Sequence, residues 1–148
     1  MKDYDNPDTE EAWCNEQHII AKDYLQSQGL NHGRIGEWPA WHIAPYVSVW
    51  AIESNTQPES IGWWVISGDL PTDYISASDC VPPQHPRKAI RVFASRWLEV
   101  INAWRVGQEY ENFNIKGNSS KDELAPLLSA RAQLLIKWAD DESLWSAV

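Results

Sequence analysis

Residues 61–67, IGWWVIS, constrain this chain more than any other stretch. They are β-branched or aromatic at nearly every position. A strand places successive side chains on opposite faces, so Trp63 and Trp64 must point opposite ways. A strand apolar on both sides belongs in the middle of a sheet covered on both faces. Any fold for this chain has to supply that cover.

The flanking segments read as its neighbours. Residues 45–54, PYVSVWAIES, alternate, with Tyr46, Ser48, Trp50 and Ile52 on one side. NTQPES at 55–60 forms a turn, and Gly68, Asp69 and Pro71 form the next. Residues 72–77, TDYISA, make a shorter third strand. The three strands form an antiparallel meander.

Helical periodicity marks both ends of the chain. Trp13, Gln17, Ile20, Ala21, Tyr24 and Gln28 share one face of a helix over 9–28. Asp8 or Thr9 caps it, and Gly29 stops it. A loose lead-in, 1–8, precedes it. Pro86 suits the first position of a second helix that ends at Gly107. Ile90, Phe93, Ala94, Trp97, Ile101 and Trp104 line its apolar face. A third helix starts at Ser119, Ser120 or Asp122, with Leu124, Leu127, Leu128, Leu134, Leu135 and Trp138 as its apolar face. Arg131 interrupts that face, so its stem is expected buried and its head paired. Leu144 and Trp145 dock back from a short terminal helix. Residues 29–44 hold three glycines and Pro39 and read as a loop, as do 108–119 with Tyr110, Phe113 and Ile115. The fold class is therefore α+β, a single domain over 1–148 in the order α-β-β-β-α-α.

Charge excludes some functions. The chain carries 12 basic and 21 acidic residues, net −9. That argues against broad nucleic-acid binding. No apolar run reaches membrane-spanning length. The opening MKDYDNPDTEEAW lacks an export signal, and two cysteines make no disulfide framework, which points to the cytoplasm. Five cations cluster in the second helix: Arg87, Lys88, Arg91, Arg96 and Arg105. They either neutralise acidic neighbours internally or, through Arg87, Lys88 and Arg91 near the helix start, hold an anion or phosphate.

No reactive set is complete. No serine sits in a nucleophile elbow, and neither Cys14 nor Cys80 has a catalytic signature. Cys14 and His18 share a helix face but lack a second tight ligand pair, so no metal is expected. No phosphate loop or dinucleotide fingerprint is present, and no cofactor is expected. Asp69 and Asp73 flank a Leu-Pro turn, where carboxylates commonly bond backbone amides; catalysis or partner contact are the other roles open to them.

Ten tryptophans remain to be explained. Trp97, Trp104 and Trp138 read as core. Trp38 and Trp41, in a loop, and one of Trp63 and Trp64 either fold inward or form an exposed aromatic surface, which would mark a binding site.

The stretches WWVISGDLPTDYIS (63–76) and HPRKAIRVFASRW (85–97) resemble a family of small, acidic, Trp-rich bacterial proteins with a domain of unknown function. The resemblance runs from about Trp13 to Trp138 and implies a bacterial, cytoplasmic, single-domain protein. It supplies no reaction, cofactor or site residue. The expected function is a non-enzymatic interaction module for a basic protein partner, as an immunity protein, inhibitor or adaptor would be. The alternative is a binder of small or anionic metabolites, or an enzyme, with a Trp-lined pocket and an Arg anchor. The short third strand also leaves room for a homo-oligomer.

Overall fold

The computed structural model describes residues 3–110 and 121–146. Helix α1 spans Pro7–Ser27 and is followed by strands β1 (Trp41–Ile43), β2 (Val47–Glu53), β3 (Ile61–Gly68) and β4 (Asp73–Ser76). Helices α2 (Pro86–Arg105) and α3 (Lys121–Asp140) complete the fold. The sheet has four antiparallel strands in the order β1-β2-β3-β4. The meander is as expected, with one strand more.

The added strand lies where a loop was expected. Its three residues, Trp41, His42 and Ile43, pair with Val49, Ser48 and Val47. Three residues are too few to display a period of two, which is why the Gly- and Pro-rich context masked them. Pairing with β2 makes β1 an edge and moves β2 inward.

Cover is supplied on both faces of β3. On one side Trp64 and Ile66 join Val47, Val49 and Ile75 against Ile90, Phe93, Trp97 and Val100 of α2 and Leu128 and Leu135 of α3. On the other side Trp50, Ile52 and Val65 meet Ala21, Tyr24 and Leu25 of α1, with Trp63 packed at the margin. The helices therefore flank the sheet, α1 on one face and α2 with α3 on the other. A sheet with only one face covered would leave either Val65 or Ile66 in water.

Capping explains the helix limits. Asn6, not Asp8 or Thr9, caps α1: its side chain accepts from the Asp8 N–H at 2.9 Å, and Pro7 takes the first helical position. Gly29 follows at φ +68°, a left-handed conformation that glycine adopts without steric cost. Pro86 opens α2, with His85 Nδ1 accepting from the Arg87 N–H at 3.0 Å. Burial and the charges of Lys88 and Arg87 lower the His85 pKa, which favours the neutral ring that this cap requires. Pro126 lies inside α3, so one helical hydrogen bond is absent there. The caps expected at Ser119 or Ser120, and the loop residues Phe113 and Ile115, lie outside the described residues.

A polar seam runs through the α1 side of the core. Trp50 Nε1 donates to Ser48 Oγ at 2.9 Å, and Ser67 Oγ donates to Gln17 Oε1 at 2.7 Å. Ser48 and Ser67 lie 2.8 Å apart. Ser67 has one hydroxyl proton and gives it to Gln17, so Ser48 donates to Ser67. All four residues are buried.

The far side is closed by the chain's last turn. Glu142–Leu144 form a short 3-10 helix, as the sequence suggested, and Trp145 stacks on Trp41 with centroids 4.5 Å apart. Trp145 Nε1 donates to the Trp138 carbonyl at 2.9 Å. Trp64 Nε1 donates to Gln84 Oε1 at 2.8 Å. Trp41 and Trp64 are thus core residues, and truncating them should be costly. Trp41→Ala and Trp64→Ala are each expected to lower unfolding free energy by about 3–5 kcal/mol, measured by chemical denaturation. A loss below about 1 kcal/mol would mean that these rings do not carry the packing described.

Candidate functional site

Six of the ten indoles are buried: Trp13, Trp41, Trp50, Trp64, Trp97 and Trp145. Trp63, Trp104 and Trp138 are half-buried. Trp38 is the exposed one, at 48%. Most of the surplus indole is therefore internal, and the broad aromatic surface considered from the sequence contracts to one ring. Trp41 and Trp64 are removed from it by burial; Trp63 packs against the α1-side core.

Trp38 sits just before β1, where α1 begins. Its ring meets His42 edge-on with centroids 5.3 Å apart. His42 points to the α1 side, because it pairs across the strands with Ser48. There its ring stacks with Trp13 at 6.3 Å, and its Nε2 lies 3.1 Å from Glu10 Oε2. A carboxylate only accepts, so the ring N–H donates in this bond. An exposed indole is held by an imidazole, which is held by a carboxylate on α1. Glu10 and His42 are far apart in sequence, and nothing in either segment announced that they would meet.

The surroundings are acidic. α1 carries Asp8, Glu10, Glu11, Glu16 and Asp23 against Lys22 alone. Several cations of α2 and α3 find acidic partners within the fold. Arg87 Nε donates to the Ala139 carbonyl at 2.7 Å, and its guanidinium pairs with Glu142 at 2.8 Å. Arg91 pairs with Asp140 at 2.7 Å and also reaches the Ala139 carbonyl. Two guanidiniums of α2 thus close the C-terminal end of α3, where carbonyls lack helical partners and the helix dipole is negative. This is the internal neutralisation weighed from the sequence. Arg131 donates Nε–H to the Asp69 carbonyl at 2.7 Å, with its head 3.4 Å from the Asp69 carboxylate. The expected pairing of Arg131 therefore finds Asp69 as its partner.

Asp73 is not a turn cap. It opens β4 and is fully buried. Its Oδ2 accepts from Trp97 Nε1 at 2.9 Å, and its Oδ1 accepts from the Tyr74 N–H at 2.8 Å. The Tyr24 hydroxyl also bonds to it. The Arg96 guanidinium is close enough to act on it electrostatically, although Nε and Nη2 of Arg96 are buried without a hydrogen-bond partner. Burial pushes the Asp73 pKa up to about 6, against the opposing pull of Arg96 and the three donors. The same burial, with the Asp73 charge, raises Tyr24. A tyrosine on the core face needs a buried acceptor, and that is the signal by which sequence reasoning could have found this pair.

The two thiols are held protonated. Burial, with help from Glu10, pushes Cys14 up to about 11. Burial and Asp79 raise Cys80. His18 meets Trp50 edge-on at 5.4 Å. His32 donates Nδ1–H to the Gly33 carbonyl at 2.7 Å. Among the described residues no three His, Cys, Asp or Glu side chains gather as metal ligands. No helix among them is long and apolar enough to cross a membrane.

Asp73 makes stability depend on pH with a defined sign. Its folded pKa of about 6 exceeds the ordinary value of 3.8, so between these the native state binds more protons than the unfolded state. Its contribution is fully present below pH 3.8 and is lost as pH rises through 6. The loss is roughly 3 kcal/mol. Wild-type unfolding free energy minus that of Asp73→Asn should fall by that order between about pH 4 and pH 7. A difference that stays flat would remove the buried, ionisable Asp73 from this account.

No curated protein and no solved structure shows significant similarity to the chain. Residues 8–145, from the first turn of α1 to the docked Trp145, match one sequence family along nearly the whole fold. The chain belongs to the family described as a domain of unknown function, DUF4826.

Proposed function

We propose that this chain is a non-enzymatic protein-interaction module that binds a basic partner at the surface where α1 meets β1, in the manner of an inhibitor or immunity protein. One observation carries the reading: the single exposed indole stands beside an acidic helix end in a chain of net charge −9. Indoles are enriched at the energetic centres of interfaces, where an apolar ring excludes water. Carboxylates around it attract a cationic surface and speed encounter. An arginine or lysine of the partner would find both the ring face and the acids. The protonated state of both thiols favours binding over thiol catalysis. The cytoplasm is the compartment proposed, since Cys14 and Cys80 are buried and unpaired.

The alternative of an anionic-metabolite site anchored by Arg87 or Arg91 is less well supported. Both guanidiniums are engaged with the end of α3.

The test is affinity capture from the native host with wild type and Trp38→Ala. Wild type should retain one basic protein near equimolar yield, and capture should weaken as salt rises. Trp38→Ala should reduce affinity about 30-fold, the ~2 kcal/mol of an interface hot spot. Its melting temperature should stay within about 3 °C, because little burial is lost. A wild-type chain that retains no protein in stoichiometric amount would overturn the proposal.

A further inference from the structure

A groove of about 450 Å³ lies beyond Trp38, between the segment before β1 and the β2–β3 turn. Half-buried Ala51 and Ile61, on the sheet face that packs toward α2 and α3, give it apolar lining, and Glu37, Glu53 and Glu59 line it as well. Its walls are tied in place by backbone hydrogen bonds. On one side the Gly33 N–H donates to the Glu53 carbonyl at 2.8 Å, and the Glu53 N–H donates to the Arg34 carbonyl at 2.9 Å. Ile35 then bridges to Ile52. On the other side the Ser54 N–H donates to the Ser60 carbonyl at 2.8 Å, and Ser54 Oγ accepts from the N–H groups of Thr56 and Gln57 at 3.2 Å each.

The charge of the groove is unbalanced. Arg34 approaches Glu53 at 3.8 Å, but its side chain is 87% exposed. Glu37 and Glu59 have no ion-pair partner among the described residues, whereas Arg87, Arg91, Lys121 and Arg131 are all paired elsewhere in the fold. The lining therefore offers an apolar floor and uncompensated negative charge. A lysine side chain has the complementary form, a four-carbon stem ending in a compact ammonium. We infer that this groove is the pocket for a lysine of the basic partner, its stem on Ala51 and Ile61 and its ammonium on Glu37 and Glu59. This rests on the interaction reading above, since it names the side chain by which such a partner is gripped. Glu37, one of the residues that line the groove, directly precedes Trp38 in the chain.

The experiment is an NMR titration of the full chain with acetyl-Gly-Lys-Gly-amide, and with the same peptide carrying norleucine, which keeps the stem and lacks the charge. The lysine peptide should bind weakly, near the millimolar range of a single side-chain contact, and shift the Gly36, Ala51 and Ser60 amides. Glu37→Gln with Glu59→Gln should weaken it at least about fivefold, and norleucine should match that loss. No shifts at the groove, or equal shifts with norleucine, would overturn the inference. The same double variant separates it from the broader proposal in the capture experiment. Undiminished capture by the double variant, with loss on Trp38→Ala, would remove the groove and keep the interaction module. Peptide binding in the groove without any captured protein would keep the lysine pocket and remove the module.

Discussion

The buried carboxylate of Asp73 is the point on which the three layers depend. It stands at the start of an edge strand, accepts from an indole on α2, and bonds to a phenol on α1. An anion taken out of water is costly unless donors replace the lost hydration. Here the donors come from both layers that flank the sheet. Neither helix can shift along the sheet without withdrawing a hydrogen bond from a charge that water cannot reach. The apolar clusters on the two faces are separate, one around Phe93 and Trp97, the other around Tyr24 and Trp50. Asp73 joins them by polar contact at the margin of the sheet.

Much of this architecture was legible in the sequence. The IGWWVIS strand required cover on both sides, and the rings of Trp63 and Trp64 do divide between the faces. The periodicity of Ile90, Phe93, Ala94 and Trp97 marked α2 correctly, and Pro86 and Gly107 marked its ends. Arg131 was expected to pair and does. What escaped was non-local. β1 is a strand only because β2 lies beside it; three residues have no period of their own. Asp73 looked like a turn residue because its local neighbours, Pro71 and Thr72, are turn formers. Its role is set by Trp97 and Tyr24, which approach from other elements. The Glu10–His42 contact that positions Trp38 spans 32 residues and follows from the docking of α1. Tryptophan number was a poor guide to exposure, since three helices and a sheet this small need large side chains to fill two interfaces.

The arrangement of charge follows from the same topology. The cationic helix α2 packs beside α3, and two of its arginines close the latter's C-terminal end. Those charges are thereby neutralised within the fold. The acids of α1, on the opposite side of the sheet, have no such cationic neighbour helix. The layer that carries the exposed indole therefore keeps an acidic helix, with five carboxylates against one lysine.

The seam of Trp50, Ser48, Ser67 and Gln17 has a consequence for strand alignment. Sliding β2 along β3 by two positions keeps every apolar side chain facing its proper layer, so hydrophobicity alone does not forbid it. In that alternative Ser48 would lie opposite Val65 in place of Ser67, and its hydroxyl, still accepting from Trp50 on the same strand, would lose the acceptor for its own proton in a dry interior. Each link has a single hydrogen to give, so the set cannot be rearranged piecemeal. Four polar atoms that add little cohesion thus act as an index mark, distinguishing the true pairing from a near-degenerate misfold that greasy contacts would accept.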